Sequence, residues 1–523
     1  MDIFWSVLLR TGQTAIEASS TLLVGFFVAA VMRRMLGAEG TRKLFGGEGL
    51  KGLFRAWIIG SLLPVCSLGV IPVAREMRRA GVPAATILAF VLAAPQLNPL
   101  SFLYGLTLSE PVVIVCFVAA TMLLAIAGGE LWKRAFETPA DTLPPGNEAM
   151  PAPGLKRLAA VLVTAGREVV GPSMGYILIG IVFTGLLAGL LPHGSLGMTM
   201  RHDDPTSPAL MALIGLPAYS GVLPGMMRIG LIFEHGNSTG AAFVLFELGV
   251  GFNLGLVAWL VSQFGWRRVL LWLLIVVALV LAVGYGMERP LYFAKEEASH
   301  THAFDEWTSP FAGGSGANWE AVWGKLLQKV EVLEPVALGG ILLLVILGCG
   351  IAGFDRAGRV EKWLTTAPPT SDAAPKSVWN RGVPGPVLGA VALLGLVVFS
   401  VVALYIYYPD PDQAFAEIVQ VRTEAIVAVR TGKKEEAVRR IQQWDLLTRK
   451  LQVGVFIRTG KMDEAAGKAT EDLRERLEDL RDALLADDLV KAKELLVPVE
   501  EAYRNCRDRY QPPQAKMPPN GTR

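Results

Sequence analysis

The chain has 523 residues, of which 52% are hydrophobic and only 18% charged. Soluble domains carry about 25% charged residues, so this composition excludes an ordinary soluble protein. A formal net charge of +2 excludes the basic surface that nucleic acid requires. The four cysteines, Cys66, Cys116, Cys349 and Cys506, are scattered with no Cys-x-x-Cys pair, which excludes a disulfide framework.

Charged residues are sparse before about Tyr408 and dense after it, so the chain divides into a long membrane part and a soluble tail. A bilayer core needs about 20 mostly apolar residues per helix. On that criterion full spans are expected at Ala15–Leu36, Pro83–Leu106, Pro111–Trp132, Pro172–Leu191, Ser238–Phe264, Val269–Met287, Pro335–Phe354 and Pro384–Tyr407. The first apolar stretch ends in Arg33 and Arg34 and reads as a retained span, not a cleaved leader. Two shorter stretches are interrupted: Gly52–Ala80 around Pro64, Gly69 and Pro72, and Pro208–His235 around Pro217, Gly221 and Pro224. Proline lacks an amide donor and breaks the helical ladder. Broken backbone at membrane depth persists only where protein or a wet cavity surrounds it. Both stretches are therefore expected to be re-entrant hairpins.

Cytoplasmic flanks are enriched in Lys and Arg. With eight spans and two hairpins, Arg33, Arg34, Arg42, Lys43, Arg75, Arg78, Arg79, Lys133, Arg134, Lys156, Arg157, Arg167, Arg267, Arg268, Arg356, Arg359 and Lys362 all fall inside. Lys325 and Lys329 fall outside, among Glu331 and Glu334. The tail is then extracytoplasmic, and the membrane is a cell (inner) membrane.

The two broken stretches are alike. Pro64-Val-Cys-Ser-Leu-Gly-Val-Ile-Pro72 resembles Pro217-Ala-Tyr-Ser-Gly-Val-Leu-Pro224, and Gly81 precedes Asn98 at the spacing that separates Gly236 from Asn253. Each copy reads span, broken hairpin, span, span, so the second copy is inverted. Inverted repeats with paired broken helices mark transporters and place the site near the midplane. The expected fold is thus all-α and polytopic. Residues 1–134 form the first repeat, 135–154 a cytoplasmic linker, and 155–288 the second repeat. An extracytoplasmic loop follows at 289–330, two additional spans at 331–407, a soluble four-helix bundle at 408–510, and a disordered tail at 511–523.

The segments Cys66-Ser-Leu-Gly-Val-Ile-Pro-Val-Ala-Arg75, Arg79-Ala-Gly-Val-Pro83 and Leu88-Ala-Phe-Val-Leu-Ala-Ala-Pro-Gln-Leu-Asn98-Pro99 resemble the predicted-permease family that includes organoarsenical efflux permeases, with a related branch linked to copper and zinc efflux. The resemblance runs from about Ala15 to Met287. It implies a permease fold, efflux, and cargo of the metal or metalloid class. The family's hairpin usually reads Cys-Ser/Thr-Cys-Gly. Here Leu68 stands at the second cysteine, and Tyr219-Ser220-Gly221 in the second hairpin has none.

Several residues are candidates for the pathway. Cys66 at the first hairpin break is a soft-metal ligand as a thiolate, or a small buried hydrophobe. Ser67 and Ser220 occupy matching places and either coordinate a passing ion or cap short helices. Asn98, Asn253 and Gln96 lie in otherwise apolar spans, where polar groups need partners and either line a path or join helices. Glu17, Glu168 and Glu247 are membrane carboxylates, with Glu247 deepest by sequence and a candidate for coupling or substrate binding; pairing with Arg228 is its structural alternative. Arg75 and Arg228 follow the two breaks and either attract an anion or anchor the hairpins. His300 and His302, beside Asp305 and Glu306, carry a weaker metal-binding pattern, which a solvated loop also accounts for.

In the tail, apolar residues recur at helical spacing over Gln413–Thr431, Lys434–Thr459, Met462–Leu485 and Leu489–Tyr510, with turns at Gly432, Gly460 and Asp487-Asp488. Short turns imply an antiparallel bundle. The Cys506 helix vaguely resembles the last helix of a cytochrome c-prime-type bundle, but the haem-attachment motif is absent, so no cofactor is expected. A gradient-driven efflux transporter of a small ion or solute is the leading reading, since no phosphate loop occurs. It is not an enzyme, and its partners are the lipid bilayer, its substrate and a protein docking on the bundle. The alternative is a transport-inactive scaffold or sensor that presents the bundle to a partner.

Overall fold

The computed structural model describes residues 2–46, 49–106, 111–138, 141, 144, 155–294, 301, 303–311, 317–327, 333–355, 358–365, 384–461 and 463–511. Most of the linker at 135–154, His300, His302 and the tail beyond Gln511 lie outside them. The chain is all-helical, with no strand among the described residues. It divides into two compact units, the second beginning at Val401.

The first unit opens with α1 (Asp2–Val31), which runs through a π-helical turn at Met32–Leu36 into α2 (Gly37–Phe45). Together they form a 44-residue helical stretch that contains an apolar span. Next come α3 (Leu50–Leu62), α4 (Val70–Arg79), α5 (Ala84–Ala93), α6 (Pro99–Gly105) and α7 (Pro111–Ala135). The following stretch holds α8 (Leu155–Val169), α9 (Pro172–Leu190), α10 (Thr206–Gly215), α11 (Val222–Glu234) and α12 (Thr239–Val244). A second π-helical turn, Leu245–Val250, precedes α13 (Leu254–Phe264) and α14 (Trp266–Glu288). The unit continues with α15 (Trp319–Leu327), α16 (Leu333–Phe354), α17 (Arg359–Thr365) and most of α18 (Gly385–Tyr407).

Among the described residues, five helices are long and apolar enough to cross a membrane, or six if one bent pair counts as a span. Two expected spans are not continuous helices. Pro83–Leu106 is split into α5 and α6, because Pro95 lies in an unwound stretch at 94–98 and Pro99 opens the next helix. Ser238–Phe264 is bent by 58° between Val250 and Leu254. The two proline-bearing stretches are also broken, between α3 and α4 and between α10 and α11. Pro72 and Pro224 do not sit at the breaks themselves. Each is the third residue of the next helix, where a missing amide leaves no helical bond unmade.

Two local features recur at these breaks, although Gly69 is helical (ψ −19°) and Gly221 extended (ψ 157°). Gly69 is the N-cap of α4 in Gly69-Val-Ile-Pro72, and Gly221 the N-cap of α11 in Gly221-Val-Leu-Pro224. Both following helices end in the same paired bonds. Gly81 N donates to Arg78 O and Val82 N to Met77 O, as Gly236 N donates to Phe233 O and Asn237 N to Ile232 O. Gly81 (φ 77°) and Gly236 (φ 62°) hold the left-handed conformation that such helix ends require. Counted from the helix starts, Leu68, not Ser67, corresponds to Ser220, since the first break is one residue longer.

Close helix crossings consolidate this unit. α9 lies against α1, and a Cβ at Gly185 or Gly189 would collide with the backbone of Thr11 or Val7. Small residues four apart let apolar helices approach closely where lipid offers no hydrophobic drive.

The second unit contains α19 (Pro411–Thr431), α20 (Lys434–Thr459), α21 (Glu464–Leu485) and α22 (Leu489–Tyr510). Their inner faces share one apolar core, with Phe415, Ile441, Trp444, Leu451, Leu473 and Leu480 among its buried side chains. Gly432 and Gly460 end α19 and α20 in the left-handed conformation.

Candidate functional site

The four breaks in the first unit supply backbone and side-chain groups that no helix satisfies internally, and two of them, at Ser67 and Gln96, bond to the later part of the unit. Ser67, in the first hairpin break, accepts a hydrogen bond from Asn253 Nδ2 at 3.0 Å and donates to Phe252 O at 3.4 Å. Asn253 is the N-cap of α13, its Oδ1 accepting from Leu256 N at 2.9 Å. Asn98 is likewise the N-cap of α6, with Ser101 completing a reciprocal capping box. The two asparagines therefore match in role as helix starts. Only Asn253 also reaches the other half through its side chain in the hydrogen bonds observed.

From the break at 94–98, Gln96 reaches the second half. Its Nε2 donates to Glu247 O at 3.1 Å and to Glu247 Oε2 at 3.0 Å. The hydroxyl of Thr121 on α7 donates to Glu247 Oε1. Glu247 sits in the π-helical turn and is 2% exposed. Its hydrogen-bond partners are thus an amide and a hydroxyl, both neutral, and no salt bridge to it occurs among the described residues. Gln96 Oε1 is buried without a partner.

The pairing of Glu247 with Arg228 considered from sequence does not occur. Arg228 instead donates to Ser220 Oγ and to Glu306, and its guanidinium lies 5.2 Å from the centroid of the Trp307 ring. Arg75 pairs with Glu168 at 2.7 Å, and Glu168 also accepts from Ser173 at 2.5 Å. Glu17 accepts from the Gly221 amide at 2.6 Å, so a carboxylate of α1 caps the positive end of α11.

Cys66 is fully buried, and its Sγ accepts from the Gly69 amide at 3.3 Å. Among the described residues no three His, Cys, Asp or Glu side chains are grouped to hold a metal ion. Cys116 is half-buried and Cys349 exposed.

Thr121, Arg10, Thr184 and Trp307 were not singled out from sequence. Thr184 Oγ1 accepts from Tyr219 N at 2.7 Å and holds the break between α10 and α11 against α9. The available signal for Thr121 and Thr184 was a lone polar residue in an apolar helix, which has many harmless explanations. The segment around Trp307 gave no periodicity at all.

These features define an all-helical, multi-pass membrane protein of the permease class. The chain belongs to the Predicted permease family, which it matches over residues 4–288. It is also similar to the UPF0718 protein YcgR of Bacillus subtilis (strain 168), with 28% identity over 85 residues. That stretch is 16% of this chain, and spans 29% of the relative's length. No solved structure matches the chain.

Proposed function

We propose that the protein is a gradient-driven efflux permease of a small ion or solute, built as two inverted repeats whose four breaks meet at the transport path. Residues Cys66, Ser67, Gln96, Asn98, Ser220, Glu247 and Asn253 belong to that path. The observation that carries the reading is the buried Glu247, held across the halves by Gln96 and Thr121. A buried ion with only neutral partners is costly, and ionisable groups kept inside membrane segments serve ion or proton movement. We assign the coupling proton to Glu247. Its place in a π-helical turn beside a 58° bend suits a group that must face two arrangements of the halves, since such turns recur at functional sites.

The two hairpins are taken as re-entrant. The duplicated helix ends and the cross-half bonds Asn253–Ser67 and Gln96–Glu247 support a paired repeat. Basic residues near helix ends support the orientation. Arg34 and Arg167 both pair with Glu361, which joins three flanks expected on the cytoplasmic side of a cell inner membrane. The second unit is then an extracytoplasmic four-helix bundle for a protein partner. The metal or metalloid class of cargo rests on the family resemblance, with Cys66 the thiol at the breaks.

The test is element content in cells challenged with arsenite, methylated arsenite, copper or zinc. Wild type lowers accumulation of one species, and Glu247→Gln abolishes that effect. Cys66→Ser abolishes it too if the cargo binds thiolate. Full activity in Glu247→Gln would remove the coupling assignment. No change for any species would remove the metal and metalloid class.

A further inference from the structure

Within the first unit, the segment 303–311 packs over a small cleft lined in part by Arg10, Glu17, Tyr219, Arg228, Glu306 and Trp307. Two guanidiniums hold this segment. Arg10 donates from Nε and Nη2 to Thr308 O at 3.0 and 2.7 Å, and from Nη2 to Asp305 O. Arg228, 5% exposed, donates to Glu306 from Nη2. Glu306 itself is about one-third exposed. Arg228 Nε is buried without a hydrogen-bond partner, a condition that costs about 1–3 kcal/mol for a polar group and more for a charged one.

The charges lining the cleft balance only through Glu306. Arg10 and Arg228 contribute two positive charges, and Glu17 and Glu306 two negative. With the segment in place and the Glu306 side chain turned outward, the lining carries one net positive charge. One edge of a guanidinium, Nε with Nη, donates to two oxygens of a single oxyanion. Glu306 meets Nη2 and leaves Nε without a hydrogen bond. A carboxylate on a free solute has no tether and can meet both nitrogens. Trp307 and Tyr219 offer aromatic surface for an apolar body beside that headgroup.

We propose that this cleft binds a small solute carrying one singly charged oxyanion group, and that Glu306 is a tethered stand-in that gives up Arg228 when the solute enters. The inference builds on the permease reading, since the solute is the cargo or its first station on the path.

The experiment uses the full-length protein in detergent, with benzoate as probe and sulfate and choline as controls, followed by calorimetry. Benzoate binds, and choline does not. Glu306→Gln, which removes the competing charge from an exposed position, tightens benzoate by about tenfold, and Arg228→Lys weakens it by at least about tenfold. Equal affinity for wild type and Glu306→Gln overturns the proposal, as does choline binding as well as benzoate. Should Arg228→Lys fail to fold, the Glu306→Gln comparison decides alone. Benzoate flux into proteoliposomes is read separately. Binding with these mutational effects but no flux keeps the site and removes the permease reading for this cargo class. Transport of another solute with no benzoate binding removes the site and leaves the permease reading standing.

Discussion

Asp445 shows how one residue outside the membrane part settles its charge. Burial pushes its carboxyl up, but the guanidiniums of Arg449 and Arg474, each 2.9 Å away, more than offset that and hold it below its usual value of 3.8. A carboxyl depressed in the folded state contributes stability that is fully present above the unfolded value and lost as pH falls through the folded one. Asp445→Asn therefore costs roughly 1–2 kcal/mol at neutral pH, the scale of charged hydrogen bonds partly open to solvent. In urea unfolding at a series of pH values, the gap between the two proteins closes below pH 3.8. A gap that persists unchanged in acid would mean that packing, not charge, sets the loss. Among the candidate site residues, the sequence singled out Gln96, Asn98, Glu247 and Asn253 by a simple criterion: polar groups in apolar surroundings need partners. It did not reveal which partners. The sequence places Asn98 and Asn253 within continuous spans, either lining a path or joining helices, whereas both are N-caps of new helices.

Those caps belong to an element-scale pattern. Breaks at Pro64 and Pro217 were legible because proline and glycine disrupt a helix by covalent geometry alone. The split of Pro83–Leu106 was harder to read, since the stretch is long and apolar enough to span and hydropathy says nothing of continuity. The bend before Asn253 lacks a proline altogether. It rests on Gly251 and the Asn253 cap: a Cβ at Gly251 would press on the Glu247 carbonyl and Gln96 Nε2. The two caps should not be equal in effect. Asn98→Ala removes a local box with Ser101 and costs about 1 kcal/mol, whereas Asn253→Ala costs that and the bond to Ser67, roughly 2 kcal/mol in all. Thermal unfolding in one detergent compares them. Ser67→Ala combined with Asn253→Ala should be less than additive, because the two share an interaction. Strict additivity would show that the cross-half bond contributes nothing.

At the scale of the whole chain, charge density separated the membrane part from the tail, because a bilayer excludes charge and a water-facing surface requires it. The helix limits of the tail were also legible, since left-handed glycines at Gly432 and Gly460 end helices by backbone geometry. Contacts place the division at Ser400 and Val401, inside the last apolar helix, where composition gives no signal. The core of the second unit draws only on residues from Ala414 to Cys506, and about 100 residues suffice for an independent domain. A fragment of residues 408–511 should therefore be soluble, helical and cooperative in urea, with fluorescence from Trp444 and circular dichroism changing together. Trp444 packs edge-on against Tyr503 at 5.8 Å between centroids and is fully buried, so its emission reports this core directly. Circular dichroism that persists while Trp444 emission is already solvent-like would mean a collapsed but unpacked fragment. In that event the apolar helix Gly385–Tyr407 supplies an ordering constraint that the tail lacks alone, and restoring it in detergent should recover the single transition.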